Sequence, residues 1–182
     1  MLFARRHKPD VSHHVKNFLW PRIGWRRSIF YVFHRLRRMQ GTPYAIAAGF
    51  ACGASVSFTP FIGFHFAMAA LLAWIIGGNL MASAFGTVVG NPWTFPFIWL
   101  WSYQLGNVIL GTSGSELPAE LGFTFIFNHP GQVLLPMIVG GFPSGIVAWF
   151  VFYWPLKRMV ESYHRIRAHR RQVRARRYGV RS

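Results

Sequence analysis

The sequence predicts an all-α fold, a polytopic helical membrane protein. Its helices are expected to be short, Gly/Pro-broken or re-entrant, with a basic amphipathic helix at each end. The prediction rests on a charge-poor centre, two basic ends and the placement of Gly and Pro. Between Met39 and Leu156 there is no Lys or Arg, and only Glu116 and Glu120 carry a formal charge. A soluble fold of this length needs charged side chains over its surface, so we expect this centre to contact lipid.

The basic residues lie at the two ends of the chain. All 20 Lys and Arg fall within residues 1–38 or 157–182, and they produce the net charge of +16. Basic segments that flank apolar ones typically face the cytoplasm, so we expect both termini there. The number of full crossings must then be even. Four crossings satisfy this condition, and so do two crossings with re-entrant hairpins.

Three regions follow from this pattern. Residues 1–20 are predicted to be a basic disordered arm, because they are polar and show no periodicity. Residues 21–156 form the predicted membrane domain, which begins with an amphipathic helix. Residues 157–182 are predicted to continue as a basic cytoplasmic helix and tail. Embedded segments are expected at about 43–58, 60–77, 94–111 and 133–155, and a fifth short apolar stretch at 80–91 has no assigned path.

Both basic ends show helical periodicity. In the first, Trp25, Val32 and Leu36 share one face, while arginines cover most of the rest, as in helices that lie among lipid headgroups. Anionic phospholipid headgroups are the favoured partner, at about 1 kcal/mol per basic residue near the surface. Nucleic acid is less favoured, and charge that only sets the topology is a third alternative. The predicted lipid-binding residues are Arg26, Arg27, Arg35, Arg37, Arg38, Arg170, Arg171, Arg174, Arg176 and Arg177.

The centre offers few groups for catalysis. It has no Asp, Lys or Arg and two Glu, Glu116 and Glu120, which argues against paired-carboxylate chemistry. Neither a nucleophile elbow nor a phosphate-binding glycine loop is present. We therefore expect no enzyme, no cofactor and no metal site. Cys52, the single cysteine, cannot form an intramolecular disulfide and is expected to be a small packing residue.

Glycine and proline recur in a pattern along the centre. Three Gly-x-x-x-Gly pairs, which let helix backbones approach closely, occur at Gly49/Gly53, Gly86/Gly90 and Gly141/Gly145. The first two are followed by Pro-Phe-Ile runs that begin at Pro60 and Pro96, which indicates a degenerate repeat of about 36 residues. We expect consecutive repeats to insert with opposite orientations and their breaks to meet near the midplane.

The breaks define a candidate polar site. A proline removes a backbone hydrogen bond, and in lipid the freed groups need protein or water partners. Nearby polar side chains either satisfy these groups, which we favour, or line a polar path. His65 is an ionisable group in an apolar stretch, and its alternative role is a neutral histidine bonded to a nearby carbonyl. The candidate site residues are Pro60, His65, Asn79, Thr87, Asn91, Pro92, Thr94 and Pro96.

Two functions follow from these alternatives. The first is a small transporter or channel-like protein with a broken-helix site, for which a homo-oligomer would help to enclose a path. The second is a non-enzymatic membrane scaffold or interaction protein that binds anionic lipid or partners through its basic tails. Convergence of Asn79, Thr87, Asn91 and Thr94 on one cavity favours transport, whereas separate carbonyl caps favour the scaffold.

The residues from Gly49 to Gly106 resemble a known bacterial family, domain of unknown function 2062 (DUF2062). The resemblance spans residues 25–155 and departs at Gly77, where the family often has an arginine. It implies a bacterial inner-membrane protein with helical hairpins, and it implies no activity. The matching features are Gly53-x6-Pro60-x-x-Gly63, Asn79, Gly86-Thr87-x3-Asn91-Pro92-x-Thr94 and Tyr103-x-Leu105-Gly106.

Overall fold

The computed structural model describes residues 25–61, 63–112 and 130–177, and the regular structure in these residues is helical, without strands. The all-α prediction is confirmed for this part of the chain. The predicted arm at 1–20 and the stretch 113–129, which holds Glu116 and Glu120, lie outside it. The helices are α1 Trp25–Arg38, α2 Pro43–Val56, α3 His65–Ile75, α4 Leu80–Gly86, α5 Phe95–Leu110 and α6 Pro130–Arg177, and a 3-10 turn at Thr87–Val89 follows α4.

Residues Met1–Arg35 form a unit of their own, of which the structure describes part of α1. Phe30 and Tyr31 are exposed on this helix, as are the basic side chains of Arg27 and Arg35. Exposed aromatic and basic side chains on one helix are typical of helices that lie in a headgroup region. The remaining helices belong to the second unit, Leu36–Ser182.

The second unit is arranged around α6. This helix runs from Pro130 to Arg177, and at ~1.5 Å per residue it is ~70 Å long. It joins the predicted embedded segment at 133–155 and the predicted basic helix after it into one continuous helix. Three prolines lie inside it, each of which leaves the carbonyl four residues earlier without its helical donor. Within the described residues, it is the one helix long and apolar enough to cross a membrane.

Helix α2 packs antiparallel to α6. Near its start, the Tyr44 ring lies 6.1 Å from the Tyr153 ring, centroid to centroid. Near its end, a Cβ on Gly145 would lie 3.0 Å from the Ser55 carbonyl oxygen. Most of α2 is buried, and no residue between Ile46 and Ala54 is exposed. The C-terminus of α2 therefore lies beside the middle of the apolar part of α6.

Helix α5 packs antiparallel to the earlier part of α6. Gly106 faces the carbonyl oxygen of Pro136, and Gly140 faces that of Ser102, so the two backbones touch. Toward the start of α5, the Trp101 indole donates a 3.1 Å hydrogen bond to the Ser144 hydroxyl. Helices α2 and α5 thus follow one another along α6, with α5 nearer its N-terminus.

Helix α3 runs back towards the start of α2, and α4 then runs beside α2. After α3, the Ile76 carbonyl accepts a 2.9 Å hydrogen bond from the Tyr44 hydroxyl at the start of α2. The Asn79 N–H donates to the Ala45 carbonyl at 2.7 Å, so α4 starts where α2 starts. Past its end, the Gly90 N–H donates to the Ser57 hydroxyl at 3.1 Å. Helix α4, which begins the stretch without an assigned path, is therefore parallel to α2.

This direction differs from the opposite insertion expected for the two repeats. Helix α2 holds the first Gly-x-x-x-Gly pair, and α3 after it runs in the opposite direction. Helix α4, which leads into the second pair, therefore starts on the same side as α2. Glycines then allow the parallel helices to touch: a Cβ on Gly53 would lie 2.7 Å from the Gly86 Cα. The Gly-x-x-x-Gly pair of α2 is therefore used for packing within one chain.

Candidate functional site

The two helix breaks lie side by side. Ser57, fully buried after α2, donates a 3.0 Å hydrogen bond to the Gly53 carbonyl and accepts one from the Gly90 N–H. The His65 ring, at the start of α3, lies 5.4 Å from the Phe95 ring at the start of α5. The Ser57–Gly90 hydrogen bond joins the two breaks, and sequence reasoning did not select this serine.

Asn91 and Thr94 form a reciprocal turn that starts α5. The Asn91 Oδ1 accepts from the N–H groups of Trp93 at 2.9 Å and Thr94 at 3.1 Å. In return, the Thr94 hydroxyl oxygen accepts the Asn91 N–H at 3.0 Å and donates to the Val89 carbonyl at 2.6 Å. Pro92 suits this turn because its φ is fixed, and the nearby Pro96 stands in the first turn of α5, where no helical donor is needed.

Asn79 and Thr87 act at other places. The Asn79 Oδ1 caps α4 by accepting the Ala82 N–H at 3.0 Å, and its Nδ2 donates to the Gln40 carbonyl at 3.3 Å. The buried Thr87 hydroxyl donates to the Ala84 carbonyl at 2.7 Å. Of the four polar residues proposed to converge, only Asn91 and Thr94 hydrogen-bond to one another.

His65 and Pro60 stand at the first break. The His65 Nε2 lies 3.3 Å from the Thr59 carbonyl oxygen, the arrangement expected for a histidine bonded to a nearby carbonyl. Pro60 is half-buried in the loop that leads to α3. Within the described residues, no group of three or more His, Cys, Asp or Glu side chains is placed to hold a metal ion. The polar side chains of the breaks therefore bond mainly to backbone groups of the breaks themselves.

Large apolar side chains are exposed on several helices of the second unit. Phe97 is 76% exposed, Trp74 is 71% exposed and Phe142 is 70% exposed. A crevice of about 350 Å³ with an almost wholly apolar lining opens between α5 and α6, and Trp101 and Val147 are among its lining residues. Large exposed apolar side chains are typical of surfaces that contact lipid or another apolar partner.

The predicted lipid-binding arginines have different surroundings. Arg38, Arg170 and Arg171 are exposed, as are Arg27 and Arg35 in the first unit. Arg37 is half-buried, and its guanidinium carbon lies 5.3 Å from the centre of the Tyr163 ring, a cation–π contact. The side chains outside the described part are Arg26, Arg174, Arg176 and Arg177.

A basic groove of about 540 Å³ lies beside these arginines, between the α1–α2 turn and the later part of α6. Its arginines come from both sides, Arg38 from the turn and Arg167 and Arg171 from the helix. Sequence reasoning missed His164 and Arg167, although their helical spacing to Arg171 is a signal that they share a face. The lining is Arg38, Met39, Gln40, Gly41, His164, Arg167, Ala168 and Arg171.

These features define a class: a protein that is all-helical over its described residues, with one helix among them apolar enough to span a membrane. Residues 26–169 match the model of a family described as an uncharacterised protein conserved in bacteria, DUF2062. The chain belongs to that family, as the resemblance indicated. No curated protein and no solved structure matches the chain.

Proposed function

We propose that the chain is a polytopic, non-enzymatic scaffold of the bacterial inner membrane that binds anionic phospholipid headgroups through its basic surfaces. One observation carries this proposal: the polar side chains at the helix breaks are engaged in caps, whereas basic side chains on α6 are exposed. Side chains that already hydrogen-bond to backbone groups are poorly placed to bind a transported solute. Exposed arginines beside an apolar segment are well placed to meet phosphate groups.

The helix positions support a topology with two crossings and one re-entrant hairpin. Helix α2 ends beside Gly145, which is ~16 Å along α6 from Leu156, where the apolar part ends. Hydrocarbon is about 30 Å thick, so α2 reaches only near the midplane and α3 returns from there. Helices α4 and α5 together make one broken crossing, and α6 makes the other. Both termini are then cytoplasmic, as the basic ends require.

A cysteine-accessibility experiment tests this topology. In a Cys52→Ala background, Phe64→Cys places one thiol at the tip of the α2–α3 hairpin, where Phe64 is 67% exposed. A membrane-impermeant maleimide added from the periplasmic side should leave this thiol unlabelled. A cysteine in place of Glu120, which this topology places on the periplasmic side between α5 and α6, is the positive control. Labelling of Phe64→Cys from outside would indicate four crossings and refute the hairpin.

Lipid binding is tested with the full chain in neutral detergent. Phosphatidylglycerol should bind more tightly than phosphatidylcholine, and 0.5 M salt, at which the Debye length is only about 4 Å, should weaken this preference. A variant with glutamine in place of the five C-terminal arginines of the predicted lipid-binding set should bind phosphatidylglycerol less while still inserting into membranes. Equal affinity for both lipids would refute the function. The five positions are Arg170, Arg171, Arg174, Arg176 and Arg177.

Transport is the second candidate function, and the meeting of the two breaks is the observation that favours it. The Ser57–Gly90 hydrogen bond joins them, which is the arrangement expected for a site of broken helices. Flux in proteoliposomes should fall in an Asn91→Ala/Thr94→Ala variant if the breaks form such a site. Equal flux in the variant and the wild type would refute the breaks as a transport site.

A further inference from the structure

The basic groove between the α1–α2 turn and α6 combines residues from two distant parts of the chain. Its helix side has the spacing i, i+3, i+4 and i+7, which places four side chains on one face of α6. Ala168 is the small member of this face and leaves room between Arg167 and Arg171. Opposite them, the turn ends at Gly41, whose φ of 132° is a conformation that glycine adopts readily.

The charge of the groove is of one sign. Arg38, Arg167 and Arg171 contribute three guanidinium groups, and no carboxylate is among the lining residues. Glu161, the acidic residue of α6, lies outside the lining. A concave site with charges of one sign raises the local concentration of counter-ions. Guanidinium groups also match phosphate geometry, because they donate two parallel hydrogen bonds.

We propose that the basic groove is a binding site for an anionic phosphate group. Its volume falls within the range of about 300–1,000 Å³ that is usual for ligand sites, so the phosphate is expected to belong to a molecule larger than a free phosphate ion. A phospholipid headgroup and a soluble phosphate ester share this chemistry. The inference rests on the proposed function, since it assigns headgroup binding to one part of the basic surface.

Matched variants separate a discrete site from diffuse charge. Arg167→Gln/Arg171→Gln removes two charges from the groove. Arg158→Gln/Arg165→Gln removes two exposed charges from the same helix but outside the lining. Ala168→Trp keeps every charge and fills the space between the arginines, and because Ala168 is exposed, the larger side chain need not disturb the helix packing.

The measurement is calorimetric titration of the full chain in neutral detergent with three probes: dihexanoyl phosphatidylglycerol, glycerol 3-phosphate and dihexanoyl phosphatidylcholine. The groove pair and Ala168→Trp should each weaken binding of the anionic probes about tenfold or more, and the control pair much less. Binding of phosphatidylglycerol alone identifies a lipid as the source of the phosphate. Binding of glycerol 3-phosphate as well identifies a soluble ester as sufficient.

Other results would refute the groove as a binding site, and they distinguish this failure from a failure of the proposed function. Equal losses in the two double variants would refute a discrete site and leave the proposed lipid-binding function intact, because diffuse charge would then be the cause. Unchanged binding in Ala168→Trp would also refute the site. If neither double variant weakens binding, the groove is wrong, whereas if phosphatidylcholine binds as well as the anionic probes, both the groove and the proposed function are wrong.

Discussion

Replacing Gly53 by alanine should push α2 and α4 apart. The added Cβ would meet the carbonyl oxygen of Ser83 and lie 2.7 Å from both the Gly86 Cα and the Thr87 nitrogen. These are backbone atoms, so no side-chain rotation relieves the overlap. Overpacking of this kind costs about 1–3 kcal/mol. Alanine is favoured over glycine in a helix by about 1 kcal/mol, and from a cost near the upper limit we expect a net loss of about 2 kcal/mol.

Cys52 provides the assay for this loss. It is the single cysteine of the chain and is only 2% exposed on α2, so a thiol-reactive dye labels it only when the helix opens. A loss of about 2 kcal/mol raises the open fraction, and hence the labelling rate, about 30-fold. Gly131→Ala is the control, since no atom lies within 4 Å of the added Cβ. Labelling of Gly53→Ala at the wild-type rate would refute the backbone contact.

Substitutions at three further positions test the helix breaks by thermal unfolding in detergent. Asn79→Ala should cost about 1 kcal/mol because it removes the N-cap acceptor of α4, and Asn79→Ser, which keeps an acceptor, should cost clearly less. Thr94→Val should cost about 1–3 kcal/mol because the Asn91 N–H loses its hydroxyl partner, whereas Thr94→Ser should be close to wild type. Ser57→Ala should cost a similar amount because the Gly90 N–H loses its acceptor. Unchanged melting temperatures would show that these hydrogen bonds do not stabilise the breaks.

Much of the helical structure was predictable because local signals mark it. Thr42 before Pro43 is a cap followed by a favoured first helical residue, and the Thr42 hydroxyl accepts the Ala45 N–H at 3.1 Å. The Thr59 hydroxyl and the Asn91 amide also donate to the carbonyls of Val56 and Val88, which lie four residues before Pro60 and Pro92. Both features depend on residues a few positions apart, which spacing in the sequence reports directly.

The path of the chain was harder to predict. The direction of α4 depends on the turn at Gly77. The residues of an apolar stretch do not indicate in which direction it runs. The basic groove was missed for a related reason: Arg38 and Arg167 are far apart in sequence and meet only when the turn packs beside α6. Helical spacing could place His164, Arg167 and Arg171 on one face, but it could not supply the opposite wall.

The end of α2 beside Gly145 has a consequence for the surrounding bilayer. In the proposed topology, α2, α3 and α4 all lie in the cytoplasmic leaflet with α6, while among the described helices α5 alone accompanies α6 in the other leaflet. With four helices against two, this topology would displace about twice as much lipid area from the cytoplasmic leaflet as from the other. Each inserted copy would then expand the cytoplasmic monolayer more than the opposite one.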